Sequence, residues 1–174
     1  MSAFERAHRF VAAHEGGFTA NPADPGNWTG RAVGRGVLRG TNWGISAGAY
    51  PDLDIRNLTR EEAHAIYRRD YWDRLRCDDL PPPLALLVYD CGVNAGIGRA
   101  ARLLQTAAGT KVDGVIGPKT LEAVARKPLA DMLAEFQAQR LLFMASLPTW
   151  ATFGKGWARR LCALPYQAVQ MGVE

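Results

Sequence analysis

Three prolines at 81–83, followed by Leu84-Ala85-Leu86-Leu87-Val88-Tyr89-Asp90-Cys91-Gly92-Val93-Asn94-Ala95, constrain this chain more than any other stretch. Proline blocks the interior of a preceding helix, but at a first helical position its fixed φ pre-forms the turn. Beyond the prolines, apolar residues fall nearly all the way round, at Leu84, Leu86, Leu87, Val88, Tyr89, Cys91 and Val93. A helix with no polar face has to be covered on every side, so other elements must form a shell around it. Asp90 and Asn94 lie on that helix and need partners of their own.

Caps and periodicity outline the shell. Ser2 and Glu5 form a capping-box pattern ahead of Phe4, Ala7 and Val11, and Thr59 with Glu62 forms a second ahead of Ala63, Ile66, Tyr67 and Tyr71. The second pattern predicts a helix reaching about Leu75, with His64 off its apolar stripe and exposed. Gly98 opens a helix that ends at Gly109, and Pro118 starts another after a tight turn or short hairpin over 112–117. Leu129, Met132, Leu133, Phe136, Arg140 and Phe143 mark a long helix to about Leu147, and a last helix runs from Trp150 to Ala168. Against these, Gly26, Gly30, Gly34, Gly36 and Gly40 surround only the short apolar pieces Val33 and Val37-Leu38. That segment predicts a small hairpin or lobe between about Asn27 and Gly44. The expected fold class is mainly α, an α+β helical bundle with one small glycine-rich β lobe.

At 174 residues, the chain suits one domain, or a main part fused closely to a small helical one. Its 48% hydrophobic and 22% charged residues exclude disorder, and no apolar run reaches the length of a membrane span. Glu5, Arg6, His8 and Arg9 stand where a signal peptide would be apolar, so a cytoplasmic protein without membrane insertion is expected. The net charge of +4 favours polyanions, but the basic clusters are scattered and not interleaved with aromatics, which argues against nucleic acid. Cys77, Cys91 and Cys162 are widely spaced and odd in number, as in a reduced chain. Cys91 on an apolar helix reads as core and not as a nucleophile. His8, His14, His64 and the cysteines show no metal-ligand spacing, so neither metal nor cofactor is expected.

The stretch that carries chemistry is His14-Glu15-Gly16-Gly17. The first helix is expected to run into Glu15 and stop at Gly16, which can turn left-handed. A carboxylate in a last turn faces the negative end of the helix dipole, so its protonated form is favoured, as a general acid requires. The plainer reading is a solvated Glu before a C-cap.

Glu15-Gly16-Gly17-Phe18, then Asn21-Pro22-Ala23-Asp24-Pro25-Gly26, then Gly40-Thr41-Asn42-Trp43-Gly44-Ile45-Ser46 follow one another in an order that resembles glycoside hydrolase family 108. These are N-acetylmuramidases of the lysozyme-like superfamily, found in phage endolysins and their bacterial relatives. Leu58–Ala63, Tyr71-Trp72-Asp73, Asp90–Asn94 and Val112–Thr120 are similar to further family blocks in the same order.

The resemblance implies a peptidoglycan hydrolase that cleaves the β-1,4 bond between N-acetylmuramic acid and N-acetylglucosamine, with glycan strands as its partner and a holin-type protein opening the membrane for release. It also implies a catalytic part over 1–95 and a helical peptidoglycan-binding-like part over 96–174 packed on it as one monomeric unit. The turn over 113–120 is similar to that of small peptidoglycan-binding modules, although its chemistry alone is only a well-formed helix entry. Glycoside hydrolysis generally pairs a protonated with an ionised carboxyl group. Glu15 fits the first, and Asp24, nine positions on in a polar turn, is the nearest candidate for the second. By analogy with phage lysozymes, Thr41 matches a water-positioning Thr better than Thr29 does. Asn42 adjoins it, and Trp43, Tyr50 and Trp72 are candidates to stack on sugars, though aromatics on apolar stripes are more often core. Asp90 and Asn94 either reach the cleft floor or bridge helices. Two other classes stay open: a lytic transglycosylase acting on the same bond with one Glu, and a catalytically silent wall-binding protein.

Overall fold

The computed structural model describes residues 1–13 and 16–171. They form two compact units, one from His8 to Tyr67 and one joining Met1–Ala7 to the chain from Arg68 onward. Among the described residues the structure is mainly helical with one two-stranded sheet, as the caps and periodicity require.

The larger unit is built around α3, Pro82–Ala95, which is buried from Pro83 through Gly92. It is covered by α4 (Ile97–Ala108), α6 (Leu129–Ala145) and α7 (Trp150–Met171). Asp90 is fully buried on α3 and ties two of these helices to it. Its Oδ1 accepts from Arg160 Nε and Nη2 of α7 at 2.9 and 2.6 Å, and its Oδ2 lies 2.7 Å from Arg140 Nη2 of α6. Helix α7 contains Pro165, which has no N–H for the carbonyl of Leu161. Gln137 of α6 supplies the missing donor, with Nε2 2.9 Å from that oxygen. Between α4 and α5 (Pro118–Ala125), buried Gln105 accepts from the backbone N–H groups of Asp113 and Gly114 and donates to the Asp113 carboxylate. One amide side chain therefore fixes the 113–115 turn, and its bond to Asp113 helps hold that carboxyl below its usual range.

Two helical expectations change in detail. The helix expected to reach Leu75 is α2 over Arg60–Tyr67, and it gives way to a π turn at Arg68–Trp72. Packing explains the widening: Trp72 is fully buried, with ring centroids 5.4 Å from both Phe4 and Tyr89 and its Nε1 donating to Asp78 at 2.8 Å. Trp72 is thus a core residue and cannot stack on a sugar. His64, expected to be exposed, is half-buried, with its ring centroid 5.0 Å from that of His8.

The smaller unit holds the end of α1 (Ala3–Ala12), a 3-10 turn at Pro25–Asn27, the hairpin β1 (Thr41–Asn42) and β2 (Ile45–Ser46), and α2. Both capping boxes form: Ser2 and Glu5 bond reciprocally at 2.6 and 3.2 Å, and Thr59 and Glu62 at 2.8 and 3.1 Å. The paired strands fall at the very end of the expected lobe and extend past it. Val33 and Val37 are exposed, and among the described residues only single bridges, Trp28 with Leu38 and Thr19 with Thr41, accompany the hairpin. The reason lies in the turn residues. Trp43 and Gly44 both have positive φ, 52° and 75°, the primed geometry that closes a two-residue hairpin.

Candidate active site

The best-formed polar constellation in the smaller unit centres on Asn27, which is fully buried. Asp24 caps the 3-10 turn leading to it, with Oδ1 accepting from Gly26 N at 2.8 Å and its carbonyl accepting from Asn27 N at 3.1 Å. Asn27 Nδ2 donates to the carbonyl of Asn21 at 3.0 Å, and its main-chain oxygen accepts from the N–H groups of both Arg39 and Gly40. These bonds leave the amide one orientation. Its Oδ1 accepts from the Thr41 hydroxyl at 2.7 Å, so the hydroxyl proton is committed and its lone pairs remain open to a donor such as water. Asp24 is exposed, and its Oδ2 has no hydrogen-bond partner among the described residues. Asp24 and Thr41, expected as members of one site, are therefore linked through a residue that sequence reasoning passed over.

The expected sugar-contacting residues divide. Asn42 is buried, and its Nδ2 lies 3.2, 3.4 and 3.3 Å from the carbonyls of Ile55, Arg56 and Leu58. Its amide donors are thus spent inside the fold. Trp43 is half-buried. Its Nε1 donates to the Leu58 carbonyl at 3.1 Å, its own carbonyl accepts from Tyr67 OH at 3.2 Å, and the Arg60 guanidinium lies 5.0 Å from its ring. These contacts hold the positive φ, which costs a non-glycine residue about 1 kcal/mol. Tyr50 is half-buried beside the loop 49–53. Asp90 belongs to the larger unit, where it is fully buried against Arg140 and Arg160. It bridges α3 to α6 and α7. Asn94 is exposed, and its Nδ2 bonds back to the Asp90 carbonyl at 2.7 Å.

His14 and Glu15 lie outside the described residues, and with them the expected general acid. On either side, α1 ends at Ala12, with Ala13 N donating to the Arg9 carbonyl at 3.2 Å, and a Cβ added at Gly16 or Gly17 would meet no atom within 4 Å.

With this geometry in view, residues 8–96 match the family described as Glycosyl hydrolase 108, a span that contains Glu15, Asp24, Asn27 and Thr41. The chain belongs to glycosyl hydrolase family 108. Residues 99–162 of this family 108 hydrolase match a second family, described as Predicted Peptidoglycan domain. Among solved structures it is similar to Brucella abortus SagA, at 32% identity and a TM-score of 0.83, over 98% of this chain and 96% of that one. No curated protein matches it. The architecture is the mainly α, lysozyme-like one expected. The chain is a glycoside hydrolase with a peptidoglycan-type domain, and peptidoglycan is its substrate class.

Two titratable groups of the family 108 hydrolase have distinctive surroundings. Burial pushes the Cys91 thiol up to about 11, so it stays protonated and inert as a nucleophile. His8 is half-buried, with its ring centroid 5.0 Å from those of His64 and Tyr67. Desolvation first, then the nearby His64 and Arg60, lower it from 6.5 to about 4. Between these values the unfolded chain takes up a proton that the folded chain refuses, so stability falls as pH drops from about 6.5 to about 4. Allowing for the partial exposure of the ring, the effect is on the order of 1 kcal/mol. Urea midpoints measured from pH 7 to pH 4 should decline less for His8→Gln than for the wild type; parallel curves would contradict the assignment.

Proposed function

We propose that the protein is an N-acetylmuramidase that hydrolyses the bond between N-acetylmuramic acid and N-acetylglucosamine in peptidoglycan. In this reading Glu15 is the general acid, Asp24 the second carboxylate and Thr41 the residue that orients the attacking water. The observation that carries it is the relay from Asp24 through the 3-10 turn and Asn27 to the Thr41 hydroxyl, within the span that matches the hydrolase family. Glu15 protonates the leaving glycosidic oxygen. The free Oδ2 of Asp24 stabilises positive charge at the anomeric carbon or takes a proton from water, while Thr41, whose own proton points to Asn27, accepts a hydrogen bond from that water. Gly16 and Gly17, which follow Glu15 in sequence, carry no Cβ that could obstruct a sugar.

The test is release of dye-labelled fragments from purified peptidoglycan. The wild type should release them, and Asp24→Asn should lower kcat about 100-fold or more, since it keeps the Gly26 cap but removes the charge. An Asp24→Asn enzyme with wild-type kcat would remove Asp24 from the mechanism, and a wild type that releases nothing would remove the activity.

Thr41 gives a finer test. Thr41→Val keeps the shape but loses the hydroxyl, so kcat should fall about 10- to 100-fold with KM nearly unchanged, because the water is no longer oriented. Thr41→Ser should keep most of kcat. Equal losses in the two variants, or a larger loss in Thr41→Ser than in Thr41→Val, would mean that the hydroxyl does not orient the water.

A further inference from the structure

The smaller unit carries a groove of about 450 Å³ lined by Phe18, Leu38, Arg39, Asp52, Asp54 and Arg56, none of which takes part in the proposed chemistry. The Phe18 ring is 38% exposed, with the Arg56 guanidinium 4.6 Å from its centroid. The walls are fixed from behind: Asn42 holds the carbonyls of Ile55 and Arg56, Arg39 donates to the Pro51 carbonyl at 2.9 Å, and Asp54 accepts from the Asn57 side chain at 2.8 Å. Two guanidinium groups and two carboxylates thus share one groove. No pair among the four is within salt-bridge distance.

A groove with equal numbers of both charges and an aromatic surface does not suit a polyanion, which the carboxylates repel. An uncharged sugar face has no use for the guanidinium groups. The arrangement suits a short peptide that carries both free carboxylates and an amine. It is also joined to the site described above. Phe18 precedes Thr19, whose N–H and C=O pair with Thr41 at 2.9 and 2.8 Å. Gly40, at a φ of 86°, has no room for a side chain, since a Cβ would lie 2.3 Å from the Thr19 carbonyl and 2.9 Å from the Phe18 ring.

We propose that this groove binds the peptide stem of peptidoglycan, taking stem carboxylates on Arg39 and Arg56 and a stem amine on Asp52 or Asp54. The inference rests on the muramidase reading. Because the stem is attached to the muramic acid, holding it would set which sugar of the strand lies opposite Asp24 and Thr41.

Steady-state cleavage of two substrates tests this: uncross-linked glycan strands with intact stems, and the same strands after an amidase has removed the stems. The wild type should show a KM roughly tenfold lower on stem-bearing strands, and Arg56→Gln or Asp52→Asn should each raise that KM about 3- to 5-fold, in line with exposed charge pairs. Neither should change KM on bare strands, and Arg56→Lys should recover part of the loss. Equal wild-type KM on both substrates, or variant effects of the same size on both, would overturn the stem assignment while leaving the muramidase reading intact. A wild type that cleaves neither strand would overturn the muramidase reading, and the stem assignment with it.

Discussion

Glu15→Gln is expected to leave a folded protein that still binds peptidoglycan but has lost roughly 100- to 10,000-fold in kcat, the usual contribution of a positioned general acid. Glutamine keeps the size of the side chain and most of its hydrogen-bonding capacity, so neither folding nor substrate binding should change much. What it cannot do is deliver a proton to the departing sugar oxygen. Asp24 cannot replace it, because in this account its carboxylate serves the anomeric carbon or the attacking water and not the leaving oxygen. Rates on purified peptidoglycan, normalised to bound protein, measure the loss. A loss below tenfold would mean that the proton comes from elsewhere.

The second large effect concerns stability. Asp90→Asn should destabilise the larger unit by about 3–5 kcal/mol, because it leaves Arg140 buried without the charge that faces it. Arg140 is only 1% exposed, and its Nε, Nη1 and Nη2 have no hydrogen-bond partner among the described residues, so the ion pair with Asp90 is its main compensation there. With a total stability of about 5–15 kcal/mol for a domain of ordinary size, such a loss should lower Tm by many degrees. Replacing all three together, as Asp90→Leu with Arg140→Met and Arg160→Met, removes the charges along with the need to pair them, and should cost less than Asp90→Asn alone. Thermal unfolding of the two proteins decides it. If the triple variant is the less stable of the two, the ionic bridge is worth more than its desolvation.

Most of the helical frame was legible because its signals are local. Pro81–Pro83 and the all-round apolar run define α3, and the two capping boxes define the starts of α1 and α2. What local signals missed depends on contacts far apart in sequence. The π turn at Arg68–Trp72 follows from wedging Trp72 between Phe4 and Tyr89, and no propensity encodes that. The turn at Trp43 was not legible either, since an aromatic is an unusual residue at positive φ. The glycine after it was the better clue, since a two-residue hairpin turn needs positive φ at both positions. The family resemblance offers Asn42 and Asp90 as ligand contacts, and the structure adds that folding buries both and spends much of their polarity on the protein itself. Asn27 was overlooked for another reason: amid Asn21, Asp24 and five nearby glycines it looked like one more turn former. Only the distances to Asn21, Arg39, Gly40 and Thr41 reveal it as the hub of the site.

The central claim, hydrolysis at muramic acid with Glu15 as the acid, is tested most directly by mass spectrometry of the fragments that the wild type and Glu15→Gln release from purified peptidoglycan. The account predicts fragments ending in reducing N-acetylmuramic acid from the wild type and their near disappearance with Glu15→Gln. Fragments ending in 1,6-anhydro-muramic acid, or cuts confined to the peptide stems, would contradict it.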